Sequence, residues 1–136
     1  MTAAVFDTNV VVSAMLTPDG TPGKLLDAIL DGLCQPVVTD SILSEYETVL
    51  CRPTFGFPTP KVCLLLDALR SRAQYAPFAS VMCTAGLPDP DDVIFLEAAL
   101  SLAVPIVTGN LKHFPQRAVG HIQVLSPATF LVRLCS

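Results

Sequence analysis

Charge is scarce in this sequence. Charged residues make up 15% of the 136, with eight bases against twelve acids and a formal net charge of −4. That balance argues against a strongly electrostatic nucleic-acid binder. No apolar run reaches the roughly 18 residues of a membrane span, so no membrane association is expected. The start, with an acid at Asp7 and no basic leader, does not read as a secretory signal. Five cysteines (Cys34, Cys51, Cys63, Cys83 and Cys135) form no CxxC pair, and an odd, scattered set reads as reduced cytosolic thiols packed mostly in the interior. His113 and His121 have no partners at ligand spacing, which argues against a zinc site. No serine or cysteine nucleophile stands beside a base, so covalent catalysis is disfavoured. Repeats and low-complexity segments are absent as well.

Apolar residues, by contrast, are plentiful. They make up 51% of the chain, which is enough for one domain spanning 1–136 around a sizeable core. Ala3-Ala4-Val5-Phe6 is a continuous apolar run, the pattern of a strand covered on both faces. It stops at Asp7, and Thr8 can cap a short helix through Val12 and Ala14. The breaker cluster Thr17 to Gly23 reads as a loop. Leu25, Leu26, Ile29 and Leu30 then recur at helical spacing up to a stop at Gly32. Pro36 to Thr39 is a second strand, and Asp40 or Ser41 caps a helix through Ile42, Leu43, Tyr46, Val49 and Leu50. Another breaker run from Arg52 to Pro60 precedes a helix over Lys61 to Ala73. Gln74 to Met82 reads as extended, Pro105 to Val107 as a further strand, and Ile122 to Leu125 as the last. Ser126-Pro127 opens a final helix with proline at its first position. Alternating strands and helices point to an α/β fold: a three-layer α/β/α sandwich with a central parallel sheet of four to five strands.

Acids mark the ends of these elements. An acid closing a buried strand borders low dielectric and needs a partner, most simply a cation. Asp7 is such an acid, at the carboxyl end of the first strand where open α/β sheets place their ligands. Asp89, Asp91 and Asp92 crowd a double-proline turn before an apolar helix, and acids so close repel one another. Glu45 projects from the early turns of the helix after the second strand, and Thr108-Gly109-Asn110 ends the strand at Val107. Right-handed crossovers bring Asp7, Asp92 and Asn110 to one edge of the sheet, within reach of Glu45. Carboxylates and a carboxamide without His or Cys suit a hard cation, Mg²⁺ or Mn²⁺, which polarises a phosphodiester and activates water. With Asp7, Glu45 and Asp92 neutralised by metal, nine acids face eight bases, so a phosphate-bearing substrate remains compatible with the charge balance.

These stretches resemble the PIN-domain family of metal-dependent ribonucleases over essentially the whole chain. Val5-Phe6-Asp7-Thr8-Asn9 is similar to its first motif, and Ser44-Glu45-Tyr46-Glu47-Thr48-Val49-Leu50 followed by Arg52-Pro53 to its second. Asp89-Pro90-Asp91-Asp92 is similar to the third and Thr108-Gly109-Asn110 to the fourth. The Asp-Pro-Asp-Asp turn and the Arg-Pro pair are most like the branch of toxin–antitoxin systems related to the VapC toxins. The resemblance implies an endoribonuclease with Asp7, Glu45 and Asp92 as catalytic metal-binding acids and Asn110 as a further ligand. Asn9, Thr108, Asp91 and Asp89 have supporting places in it, and Arg52, Lys61 and Lys112 are candidates for RNA contact. It also implies Mg²⁺ or Mn²⁺, an antitoxin partner, a homodimer and a cytoplasmic setting. Asn110 departs from the fully acidic pattern, which implies one metal ion rather than two, unless Asp91 or Asp89 compensates.

Other classes fit less well. A haloacid-dehalogenase-type phosphatase wants a second acid two residues after the first, where this chain has Asn9. A receiver-type switch wants a lysine after a later strand, and Lys112 lies in a loop. A PIN-fold module that binds RNA or a protein without cutting is the alternative from another class.

Overall fold

The computed structural model describes residues 2–77 and 86–135. The apolar run at the start forms β1 (Ala3–Phe6), in which Ala4, Val5 and Phe6 are buried. Helix α1 (Thr8–Leu16) follows at once, with Asp7, not Thr8, in the N-cap position. Helix α2 (Thr21–Leu30) begins three residues before the expected start at Lys24. Pro22 sits in its first turn, where a missing N–H leaves no bond unmade. Gly23 lets that turn lie against the preceding loop, since a Cβ there would fall 2.0 Å from the Pro18 carbonyl oxygen.

Strand β2 (Gln35–Val38) leads into α3 (Asp40–Leu50). The cap of α3 is Thr39, whose side chain accepts from the Ile42 N–H, in place of Asp40 or Ser41. Helix α4 (Thr59–Arg72) precedes the short β3 (Gln74–Tyr75). The extended reading beyond Pro77, over 78–82, lies outside the described residues. A 3₁₀ turn at Pro90–Asp92 then opens α5 (Val93–Leu102), and β4 (Ile106–Val107) follows. A second 3₁₀ turn at Leu111–His113 and α6 (Gln116–Val119) lead to β5 (Val124–Leu125), shorter than the expected strand over 122–125. The chain closes with α7 (Pro127–Leu134), capped by Ser126 as its Ser-Pro start implies.

The five strands among the described residues are parallel in the order β3-β2-β1-β4-β5. Helices flank the sheet on both faces, giving the three-layer α/β/α sandwich. Helix α5 packs across β1, β2 and β4. Phe6 faces the other layer, where its ring meets Phe130 of α7 edge-on at 5.9 Å. β1 is the centre of the sheet, paired with β2 on one side and β4 on the other. The crevice between the carboxyl ends of β1 and β4 is therefore a topological switch point, the usual ligand position in such sheets.

The thiols differ from expectation. Cys34 is buried, and burial pushes its thiol up to about 12, which makes it inert. Cys51, Cys63 and Cys135 are exposed, because they fall at a helix end, on the outer face of α4 and after α7. Cys83 lies outside the described residues. No helix among the described residues is long and apolar enough to cross a membrane.

Candidate functional site

Asp7 is 4% exposed at the end of β1, its own N–H bonded to the Val107 carbonyl of β4. Although it occupies the N-cap position of α1, its carboxylate makes no side-chain capping bond. Its oxygen Oδ2 instead accepts from Thr108 Oγ1 at 2.8 Å and from Asn9 Nδ2 at 3.2 Å. Thr108 is fully buried beyond the end of β4, and its hydroxyl also accepts from the Asn110 N–H at 3.0 Å. Asn9 turns its other end to Gly109, whose N–H donates to Asn9 Oδ1 at 3.0 Å. A Cβ on residue 109 would sit 3.3 Å from that oxygen, so glycine suits the close approach. Asn9, Thr108 and Gly109 thus stitch the end of β1 to the end of β4. Burial raises the pKa of Asp7, opposed by the Thr108 hydroxyl, the Thr8 N–H and His113.

Asp92 ends the 3₁₀ turn at the N-terminus of α5, with its side chain 14% exposed. Its Oδ2 is buried and has no hydrogen-bond partner among the described residues. Burial and the charge of Asp7 push its pKa up to about 6; His113 opposes the shift, and Asp89 and Glu45 add to it. His113 Nδ1 stands 3.9 Å from Asp7 Oδ2 and 3.7 Å from Asp92 Oδ2. Sequence spacing left this histidine without partners, and the fold supplies two. Strand order alone signals it, since it follows β4 by six residues and β4 lies beside β1. Among the described residues, however, no three His, Cys, Asp or Glu side chains form a ready-made cation cage.

The remaining residues divide into two groups. Glu45 is half-buried on α3 and lines an open groove of about 500 Å³ with Asp40, Ser41, Ser44, Thr48, Asp91 and Ile94. A neighbouring hollow of about 290 Å³ shares Asp40, Ser41 and Ile94 with it and ends at the exposed Tyr75. Asp89 caps the 3₁₀ turn by accepting from the Asp91 N–H at 3.0 Å. Asn110 is exposed, and its Oδ1 accepts from the Lys112 N–H at 3.2 Å. Lys112 is exposed beside His113, whereas Arg52 and Lys61 are exposed around the connection of α3 to α4. Arg70 pairs with Asp67 at 3.1 Å and Arg72 donates to the Leu30 carbonyl at 2.7 Å, so these two bases serve the helical layer.

A parallel α/β/α sandwich with an acid at the switch point and two more carboxylates nearby places the chain among the open α/β folds with an acid-lined crevice. Residues 3–112 match the family model described as PIN domain, and the chain belongs to that family. A stretch of 41 residues is 46% identical to an uncharacterized protein of Methanocaldococcus jannaschii, covering 30% of this chain but only 26% of that relative's length. Among solved structures, VapBC2 from Rickettsia felis, bound to a DNA fragment from their promoter, aligns with a TM-score of 0.61 at 15% identity, over 91% of this chain and 98% of that one. VapBC-1 from nontypeable Haemophilus influenzae aligns at 0.59 and 15% identity, over 93% and 98%. At that identity the two likenesses show the fold.

Proposed function

We propose that residues 1–136 form one metal-dependent endoribonuclease domain, the toxin of a toxin–antitoxin pair, acting in the cytoplasm as a homodimer held in check by an antitoxin. Membership of the PIN-domain family and the VapBC fold likeness support this reading. The observation that carries it is the buried Oδ2 of Asp92, which has no hydrogen bond among the described residues and lies close to Asp7. A carboxylate oxygen left without a donor in low dielectric is costly, and a hard cation satisfies it. Asp7, Asp92 and Glu45 are the residues that would hold Mg²⁺ or Mn²⁺. When bound, such an ion polarises the scissile phosphodiester and lowers the pKa of an attacking water. Thr108 and Asn9 fix the orientation of Asp7, and Lys112 offers its charge to a substrate phosphate.

The test is cleavage of a labelled RNA panel with Mn²⁺, Mg²⁺ or EDTA, comparing wild type with Asp7→Asn and Asp92→Asn. Metal-dependent cutting lost in both variants is the expected outcome. Equal cutting by all three proteins would assign the activity to a contaminant.

A second reading, a PIN-fold module that binds RNA or a protein without cutting, has two observations in its favour. Asn110 Oδ1 is engaged as a cap, and no three described side chains form a cation cage. Absence of cleavage in that experiment, together with absence of Mn²⁺ binding by calorimetry, would select it.

A further inference from the structure

We infer that Tyr46 is a positioning residue for the acidic site: its hydroxyl, bonded to the Phe6 carbonyl, sets the place of Glu45 relative to Asp7. The inference rests on the proposed metal site and assigns a role within it.

Tyr46 follows Glu45 on α3, and Phe6 precedes Asp7 on β1. The Tyr46 hydroxyl donates to the Phe6 carbonyl oxygen at 2.5 Å, across 40 positions of sequence. The side chain is 1% exposed, and the ring lines the same small apolar void, about 20 Å³, as Phe6, Val10, Leu25 and Leu69. Nothing apolar there can replace the carbonyl as acceptor, and a void so lined does not stabilise a substitute water. Consecutive residues of a helix point about 100° apart. Tyr46 therefore faces the core while Glu45 faces the groove, and any roll or slide of α3 that breaks the Tyr46 bond also moves the Glu45 carboxylate. Burial and the nearby charge of Asp7 both push the Tyr46 phenol up, which keeps it a neutral donor at every working pH. The phenol is thus a fixed strut between the strand that carries one acid and the helix that carries the other.

A hydroxyl that merely satisfies itself in the core would affect stability alone. A strut acts through Glu45, and a double-mutant cycle separates the two. Mn²⁺ affinity is measured by calorimetry for wild type, Tyr46→Phe, Glu45→Gln and the double variant, with folding followed by circular dichroism. Tyr46→Phe is expected to weaken Mn²⁺ binding about 10-fold, the lower end of the range for residues that orient ligands. Added to Glu45→Gln, it is expected to weaken binding no further. Affinity within twofold of wild type, or an equal loss with and without Glu45, overturns the inference while leaving the metal site standing. Wild type that binds no Mn²⁺ overturns the metal site, and the strut role with it.

Should Tyr46→Phe fail to fold, 3-fluorotyrosine decides the matter in the native sequence, which has two tyrosines. The ¹⁹F resonance at Tyr46 is expected to move on saturation with Mg²⁺ while that of the exposed Tyr75 stays still. An unmoved Tyr46 resonance under Mg²⁺ overturns the role.

Discussion

The two halves of the site are built on opposite terms. On the sheet side Asp7 has donors in Thr108 and Asn9, both held by the junction of β1 and β4. On the helix side Asp92 Oδ2 is buried with no hydrogen bond among the described residues, His113 Nδ1 standing off at 3.7 Å, and Glu45 lines an open groove. One half is satisfied by the protein itself, and the other is left for something to satisfy. In the proposed metal site Asp7 would be the anchored ligand, and Asp92 and Glu45 the ones that respond to what arrives. The contrast also explains the different causes of the two raised pKa values: burial is checked by hydrogen bonds at Asp7, whereas burial and repulsion add together at Asp92.

The largest effect should come from removing the anchor. Asp7→Asn keeps the shape but loses the charge that both the Thr108 and Asn9 bonds orient. Loss of several kcal/mol of transition-state stabilisation corresponds to about a 10³-fold fall in RNA cleavage. Initial rates at saturating Mn²⁺ measure it. A fall of less than about tenfold, against a tenfold change for every 1.4 kcal/mol, would show that Asp7 is not the anchor.

Removing the donor rather than the acid tests the same half more gently. Thr108→Val leaves Asp7 with one fewer hydrogen bond and strips Thr108 Oγ1 from the Asn110 N–H. Because the Thr108 bond lowers the Asp7 pKa, its loss moves that pKa further up. The expected results are a 10- to 100-fold weaker Mn²⁺ affinity, roughly as for other groups that orient ligands, and a stability loss of about 1–3 kcal/mol. Calorimetry and thermal melts report the two separately.

Legibility followed a different divide, local pattern against tertiary contact. The strand ending at Asp7, the turn at Asp89 to Asp92 and the polar end of β4 were readable because each is a local break from apolar to polar. Parallel order followed from strand–helix alternation, and the sheet has that order. Contacts made only by folding were not readable. His113 lies 106 positions from Asp7 in sequence yet within 3.9 Å of it in space. The Tyr46 hydroxyl looked like one more apolar helix position. Local reading also erred where a residue has two uses. Thr21-Pro22-Gly23 has the composition of a loop, but proline is at home in the first turn of a helix, and the glycine answers to the Pro18 carbonyl. Asp7 takes the N-cap backbone position while its carboxylate serves the site, so Thr8 is helical instead.

On the helix side the metal-free protein should reveal Asp92 through pH. Its folded pKa, about 6, lies above the ordinary 3.8, so the folded state holds the proton more tightly than the unfolded chain. The stabilisation is complete below the ordinary value and disappears as pH rises through about 6. A displacement of this size corresponds to about 3 kcal/mol, and the partly open side of the carboxylate reduces it to about 1–2 kcal/mol. Wild type in EDTA should melt higher at pH 5 than at pH 7.5. Asp92→Asn should gain that stability at pH 7.5 and show none of the gain at pH 4. Saturating Mg²⁺ should raise the wild-type melting temperature at pH 7.5 and leave the variant nearly unchanged. A flat wild-type profile would place the Asp92 carboxylate in water rather than beside Asp7.

The smallest effect concerns the bases, and it asks which half of the site the substrate approaches. Lys112 is exposed next to His113 on the sheet side, while Arg52 lies seven residues past Glu45 in sequence, beyond the end of α3. The helix from Glu45 to its end at Leu50 alone spans about 8 Å, the Debye length at physiological salt. Lys112→Ala is therefore expected to raise the KM for RNA about 3-fold, and to reduce the salt slope by about 0.7, the value for one single-strand phosphate contact. Arg52→Ala and Lys61→Ala together should change KM by less than about twofold, as screened surface charges do. Cleavage kinetics across a salt series decide between them. The reverse ranking would move the RNA path from the β4 end of the sheet to the connection of α3 and α4, and would make the helix side the half that meets substrate first.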